Sequence, residues 1–286
     1  MGKKTTAVTT EASADVLAQL TAMFPQGDSY NRTKFPKLVF KSQTVLDDNE
    51  EVVIKAGTFF IDRETEEVDE QGKNKWESVE VGKTLDGHII YYRKRLQYWD
   101  AKDEVFFSTP MYDEDTEIIP LFKGGEFVAE GTPAQLKAMY PKVVEYSDKK
   151  TGEKKTKTVS HLDDAKVLYV LVNGELLELT IRGSSMWSFN DYLKKFAPQA
   201  CITTFNSTKE EAGTNKWNKM SFKVLRNPTQ EEAVLAVNTI EELRQGIAHE
   251  KAYYASKRTA QASASIGAPA QALKAGDEEA DEEDGF

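Results

Sequence analysis

Three observations predict a mainly β (α+β) fold, a meander or barrel of short strands with a few short helices. From Lys37 onward the chain breaks into short runs of β-type residues: Lys37–Ser42, Val52–Asp62, Lys75–Val81, Gly87–Asp100 and Glu104–Ser108. Gly/Asn/Asp clusters separate them. The segment Lys166–Arg182 places two β-rich runs around Asn173-Gly174, the dipeptide that suits a type I′ hairpin turn. Two more runs, Cys201–Thr208 and Lys216–Arg226, flank the polar loop Glu210–Asn215.

Helical signals are few. Asp15–Met23 reads as a short amphipathic helix stopped before Pro25. Thr132–Tyr140 has Thr132 as N-cap, Pro133 at the first helical position and Pro141 as a stop. Ser184–Phe196 reads as a helix with Met186, Phe189, Leu193 and Phe196 on one face, and Ser184-Ser185 reads as its cap. Thr229 and Glu232 form a capping box that opens a helix to about Ala255, with a break near Asn238 left open. Arg63–Lys75 and Tyr146–Lys157 are polar enough to be exposed hairpin tips. The domain reading is an N-terminal arm with its short helix (1–36), a β-rich domain (37–255), a flexible Ala/Ser/Gln/Gly linker (256–276) and an acidic tail (277–286).

Composition bounds the function classes. Of 286 residues, 40% are apolar and 29% charged, enough for a core, which excludes wholesale disorder. No run approaches the roughly 18 apolar residues of a membrane span, and Met1-Gly2-Lys3-Lys4 opens no secretory signal. One cysteine, Cys201, excludes a disulfide framework, and three scattered histidines argue against a His-rich metal centre. A cytoplasmic setting is expected. The net charge is −10, but seven of the 47 acidic residues fall in the last ten, which leaves 40 against 37 basic residues in the body.

No GxxxxGK[ST], GxSxG, HExxH or CxxC pattern is present, so no enzyme, cofactor or metal is expected. The carboxylates Asp113, Glu114, Asp115 and Glu117 leave a metal-dependent nuclease as a distant alternative, with a solvated acidic turn preferred. Cys201 reads as a buried small hydrophobe.

The informative constellation interleaves cations and aromatics. Along Gly87–Asp100, alternation puts Tyr91, Arg93, Arg95 and Trp99 on one face and Ile90, Tyr92, Leu96 and Tyr98 on the other. Along Lys216–Arg226, Trp217, Lys219 and Lys223 share a face opposite Met220, Phe222 and Val224. Lys149, Lys150, Lys154 and Lys155 add a basic loop. Single-stranded nucleic acid needs both residue types, cations for a row of phosphates and flat rings for unpaired bases.

The C-terminus Asp277-Glu278-Glu279-Ala280-Asp281-Glu282-Glu283-Asp284-Gly285-Phe286 resembles the acidic, Phe-terminated tails of phage and bacterial single-stranded DNA-binding proteins. The specific likeness covers these ten residues; the preceding linker agrees in composition. The resemblance implies an OB-like β-barrel, here with added strands. It also implies a tail (Asp281, Glu282, Glu283, Asp284 and Phe286 foremost) that regulates strand binding and recruits replication or recombination proteins. The expected function is sequence-independent ssDNA binding in a bacterial host cytoplasm, with no membrane partner and with homo-oligomerisation compatible. The alternative is a protein-interaction, phage-assembly or host-takeover factor.

Overall fold

Asn173 and Gly174 adopt φ of 51° and 84°, the left-handed pair that a type I′ turn demands. They join β12 (Asp163–Val172) to β13 (Glu175–Arg182), whose register runs from Val172↔Glu175 to Ala165↔Arg182. This computed structural model describes residues 35–46, 52–70, 72, 74–147, 151–212 and 215–267, with 212 and 256–267 as backbone only. The expected helix at Asp15–Met23, Lys149, Lys150 and the acidic tail lie outside the described residues.

Fifteen strands are described, and the mainly β expectation holds. Around the β12–β13 hairpin grows one large sheet. β1 (Lys37–Lys41) joins β13 in parallel, and β4 (Thr58–Val68) and β5 (Asn74–Gly82) follow as antiparallel neighbours. On the other side β12 pairs β6 (Thr84–Asp100), the longest strand. β6 is shared: its start pairs β14 (Ile202–Ala212), which pairs β15 (Asn215–Arg226). Its end pairs β7 (Val105–Ser108), then β8 (Ile119–Lys123) and β9 (Glu126–Gly131). Two hairpins stand apart: β2 (Val45–Leu46) with β3 (Val52–Ile54), and β10 (Pro141–Ser147) with β11 (Lys154–Ser160). The polar stretch 63–75 is therefore mostly strand, with a short turn between β4 and β5.

The sheet curls over its main core. Leu38, Phe59, Leu168, Val170, Leu177, Leu179, Phe205 and Met220, from six strands, meet Phe189 and Tyr192 of α2 (Gly183–Leu193) there. The curl brings β15 back toward β1: the Asn218 N–H donates to the Ser42 carbonyl at 2.8 Å. Gly57 sits in the same place with φ +83°, where a Cβ would lie 2.0 Å from Ser207 Oγ. Among the described residues the ladders nevertheless do not close into a barrel.

A second core, under α1 (Pro133–Met139), holds Leu96, Phe107, Ile119, Leu121 and Leu136. The capping box of α1 forms as its sequence requires: Gln135 N–H donates to Thr132 Oγ1, and Gln135 Oε1 accepts from the Thr132 N–H. Helix α3 (Gln230–Gly267) is continuous through Asn238 and runs on past Ala255, into the stretch that composition assigns to a linker. Its residues up to Gln245 belong to the unit spanning Thr33–Gln245; those from Gly246 belong to a second unit. Within the first unit, Ala236, Ile240 and Leu243 pack on Val167, Tyr169 and Leu171 of β12.

The α3 capping box is reinforced. Glu232 accepts the Thr229 N–H at 2.8 Å and takes both terminal nitrogens of Arg226 at 2.7 Å. Arg226 first, then the Thr229 backbone, hold the Glu232 carboxyl down at about 2. A depressed carboxyl contributes its stabilisation above its ordinary value of about 4.3 and loses it as pH falls toward the folded value. Fraying of the first turn of α3 is therefore expected between about pH 4 and pH 2. An NMR titration of Glu232 checks this; a midpoint near 4.3 would contradict the bidentate contact.

Two helix expectations need correction. In α2 the buried residues are Ser185, Phe189 and Tyr192, while Phe196 lies beyond the helix and is 45% exposed. The N-cap position is Arg182, and the two serines do not cap. Instead Ser184 Oγ accepts from Trp217 Nε1 at 3.2 Å and Ser185 Oγ accepts from the Met220 N–H at 3.0 Å. They tie α2 to β15.

Candidate nucleic-acid interface

Alternation along β6 does place Arg93, Arg95 and Trp99 on one face, but that face is not uniformly open. A register shift between Tyr169 and Val170 makes Ile90 the extra residue opposite β12, so Ile90 joins the core beneath α3, on the side of Tyr91. From Tyr91 to Arg93 the face is covered by Met111 and α3. Tyr91 is half-buried, and its hydroxyl donates to Asp113 Oδ1 at 3.2 Å. Arg93 is 1% exposed. Its Nε donates to Asp113 Oδ1 at 3.1 Å and a terminal nitrogen donates to the Met111 carbonyl at 2.6 Å. Arg93 thus joins β6 to the 111–113 segment beneath the surface and is not a surface cation. The reason is long-range: Met111 and Tyr112 run beside β6, with Lys94 and Tyr112 exchanging both backbone hydrogen bonds.

Past Arg93 the face opens only in part: Gln97, between Arg95 and Trp99 on the same face, is 7% exposed, and the open stretch starts at Trp99. Arg95 is half-buried and its Nε donates to the Thr109 carbonyl at 3.1 Å. Ala165 separates it in the ladder from the exposed Arg182, so two arginines flank one small residue. Trp99 is 54% exposed and its ladder partner is Phe106, 37% exposed. Ser108, on the same face as Phe106, pairs with Phe122. Phe122 pairs in turn with Phe127, 40% exposed, their rings edge-to-face at 6.4 Å. The opposite faces of the same strands carry Tyr98, Phe107, Leu121 and Ala129 into the core under α1. The result is one sheet face with four rings across four strands, Trp99, Phe106, Phe122 and Phe127, beside Arg95 and Arg182. Only Trp99 and Arg95 are legible as site residues in the sequence. The Phe106-Phe107 doublet was the available signal: in a strand, one of two adjacent rings must face out.

The β15 set forms a second cluster. Met220, Phe222 and Val224 face the main core as expected. Trp217 is half-buried against Ser184, Lys219 pairs with Glu210, and Lys223 is exposed. Trp187 of α2, 68% exposed, was not foreseen. Asp191 of α2 is held below its ordinary range, first by its hydrogen bond from Lys194 and more weakly by Lys195 and Lys219. Lys194 and Lys195, just past the end of α2, and Lys219 of β15 therefore share one neighbourhood.

Lys154 and Lys155 lie on neither cluster. Both are exposed on β11 of the separate β10–β11 hairpin, and Lys155 sits 3.8 Å from Glu153.

The acidic turn is occupied structurally. Glu117 Oε1 accepts the N–H groups of Asp113 and Glu114, Asp113 holds Arg93, and Asp115 pairs with Lys94 at 2.8 Å. Among the described residues no group of three or more His, Cys, Asp or Glu is placed to hold a metal ion. Cys201 is buried, its Sγ 3.1 Å from the Tyr192 hydroxyl. No helix among the described residues is long and apolar enough to cross a membrane.

No protein-family model, no curated protein and no solved structure matches this chain.

Proposed function

We propose that the chain is a non-enzymatic, sequence-independent single-stranded DNA-binding protein of phage or mobile-element type. The observation that carries the reading is the open sheet face of Trp99, Phe106, Phe122 and Phe127 beside Arg95 and Arg182. Rings spread across neighbouring strands, about 4.8 Å apart, suit successive splayed bases. A duplex hides those base faces in its own stack. Arg95 and Arg182, joined through Ala165 in the ladder, are the cations beside the rings, and Lys219 and Lys223 of the β15 cluster are further cations for phosphates. The curled half of the sheet, from β1 through β15 with α2 against its core, is read as the OB-like element. The resemblance of the C-terminus supports the same reading and adds recruitment of replication or recombination proteins.

Titration of ssDNA and dsDNA of equal length across a salt series tests this. Tighter binding to ssDNA is expected. Its log K should fall with log salt by about 0.7 per neutralised phosphate, so about 3 for four cations. Equal affinity for duplex, or no binding at low salt, refutes the proposal. Removing residues 277–286 is expected to tighten ssDNA binding at low salt, because seven tethered carboxylates no longer compete with phosphates. Removing Phe286 alone should leave that affinity unchanged. Unchanged affinity after the ten-residue deletion would contradict the competition.

A further inference from the structure

Among the described residues, two strands at sheet edges belong to hairpins of opposite charge. β5 ends the large sheet among the described strands and pairs only β4, and Asn74–Ser78 and Glu80 are exposed. Among the described strands β10 and β11 pair only each other, and Lys154–Thr158 are exposed. Residues 58–82, which form the β4–β5 hairpin, hold eight Asp/Glu against three Lys/Arg. Residues 141–160, which form the β10–β11 hairpin, hold six Lys against three Asp/Glu. An unpaired strand edge presents a row of backbone N–H and C=O groups that another strand can complete.

We infer that copies of this chain associate head to tail, the edge strand β5 of one copy, which carries Glu77 and Glu80 against Lys75 within the acidic β4–β5 hairpin, pairing with the basic edge strand β11 of the next. Seven residues of β11 span about 23 Å and fit within the nine of β5. Glu77 and Glu80 then face Lys154, Lys155 and Lys157 across the new ladder. The two edges are different surfaces, so the contact is heterologous and leaves a free β5 and a free β11 at the ends of every assembly. An open row of copies results, not a closed dimer. Two features favour a second copy over DNA as the occupant of β11. A polynucleotide cannot complete a peptide hydrogen-bond ladder. The one ring of the hairpin, Tyr146, already has Lys157 Nζ 5.5 Å from its centroid. The association does not rest on the proposed DNA binding.

Sedimentation velocity of the full chain without DNA tests it. At low salt the mass should rise with concentration beyond twice the 32.1 kDa of one copy. It should return to one copy near 1 M salt, where screening acts within about 3 Å. The variants Lys154→Glu/Lys155→Glu/Lys157→Glu and Glu77→Lys/Glu80→Lys change exposed residues only. Each alone should remain a single copy with an unchanged melting temperature. Their equimolar mixture should associate again, because acidic edges then meet basic ones. The proposal is overturned if the wild type stays a single copy at low salt, if assembly stops at a closed dimer, or if either reversal leaves association intact. It also fails if the mixture does not associate. Loss of association on deleting residues 277–286 would make the tail the occupant of β11. Reversal of β11 that lowers ssDNA affinity but leaves association unchanged would make the hairpin a DNA contact.

Discussion

Replacing Arg93 by alanine is expected to lower the stability of the folded chain by about 3 kcal/mol. Breaking a buried ion pair from one side costs about 3–5 kcal/mol, because the other charge stays behind unpaired. Asp113 retains 26% side-chain exposure and the Tyr91 hydroxyl, so the lower end applies. The Met111 carbonyl loses a donor as well. For a domain of this size the melting temperature should fall by roughly 6–12 °C. Arg93→Met in an Asp113→Asn background should recover part of the loss, since no buried charge is then left alone. Below the melting transition, ssDNA affinity and its salt slope should match the wild type. An unchanged melting temperature with weakened binding would return Arg93 to the DNA surface.

The aromatic face makes the opposite prediction. Trp99→Ala, Phe106→Ala and Phe127→Ala should each weaken ssDNA binding by about 1–3 kcal/mol, roughly 5- to 150-fold. The three are neighbours, so the triple variant need not show the sum. Exposed rings contribute little to folding, and melting temperatures should stay close to the wild type. Phe107→Ala is the control. Phe107 is adjacent to Phe106 but 6% exposed in the core under α1, and its loss should cost about 3–5 kcal/mol of stability. If Trp99→Ala melts early and binds normally, its ring is structural and the site lies elsewhere.

Arg93 and Trp99 show what a single sequence can and cannot say. Alternation places both on one side of β6, because a strand has period two. Which part of that side meets water depends on Met111, Ala236, Ile240 and Leu243, and no local pattern links them to β6. The rest of the ring platform was hidden for the same reason. Phe106, Phe122 and Phe127 become neighbours of Trp99 only through the register of β7, β8 and β9. Local chemistry was legible where it was decisive: the Thr132 N-cap, the Thr229–Glu232 capping box, the Asn173-Gly174 turn and the inward face of β15 stand as read. β8 escaped notice because Pro120 interrupts its pattern, and of β10–β11 only the tip, Tyr146–Lys157, was read, because a hairpin standing apart has no buried face to impose alternation. The curl of the sheet was foreseen only as a barrel. What forms is a branched sheet around β6, with β15 reaching the end of β1 through the Asn218–Ser42 hydrogen bond.

Stacking on bases, as distinct from attraction to phosphates, is the central claim. The most direct measurement compares the affinity of the full chain for oligo-dT with that for an abasic strand of the same length, at the same salt. Both ligands carry the same phosphate charge, and only one carries rings to stack. The abasic strand should bind at least about 30-fold more weakly, with two or more rings engaged at about 1–3 kcal/mol each. Trp99→Ala should narrow the gap. Equal affinity for the two strands would contradict the claim.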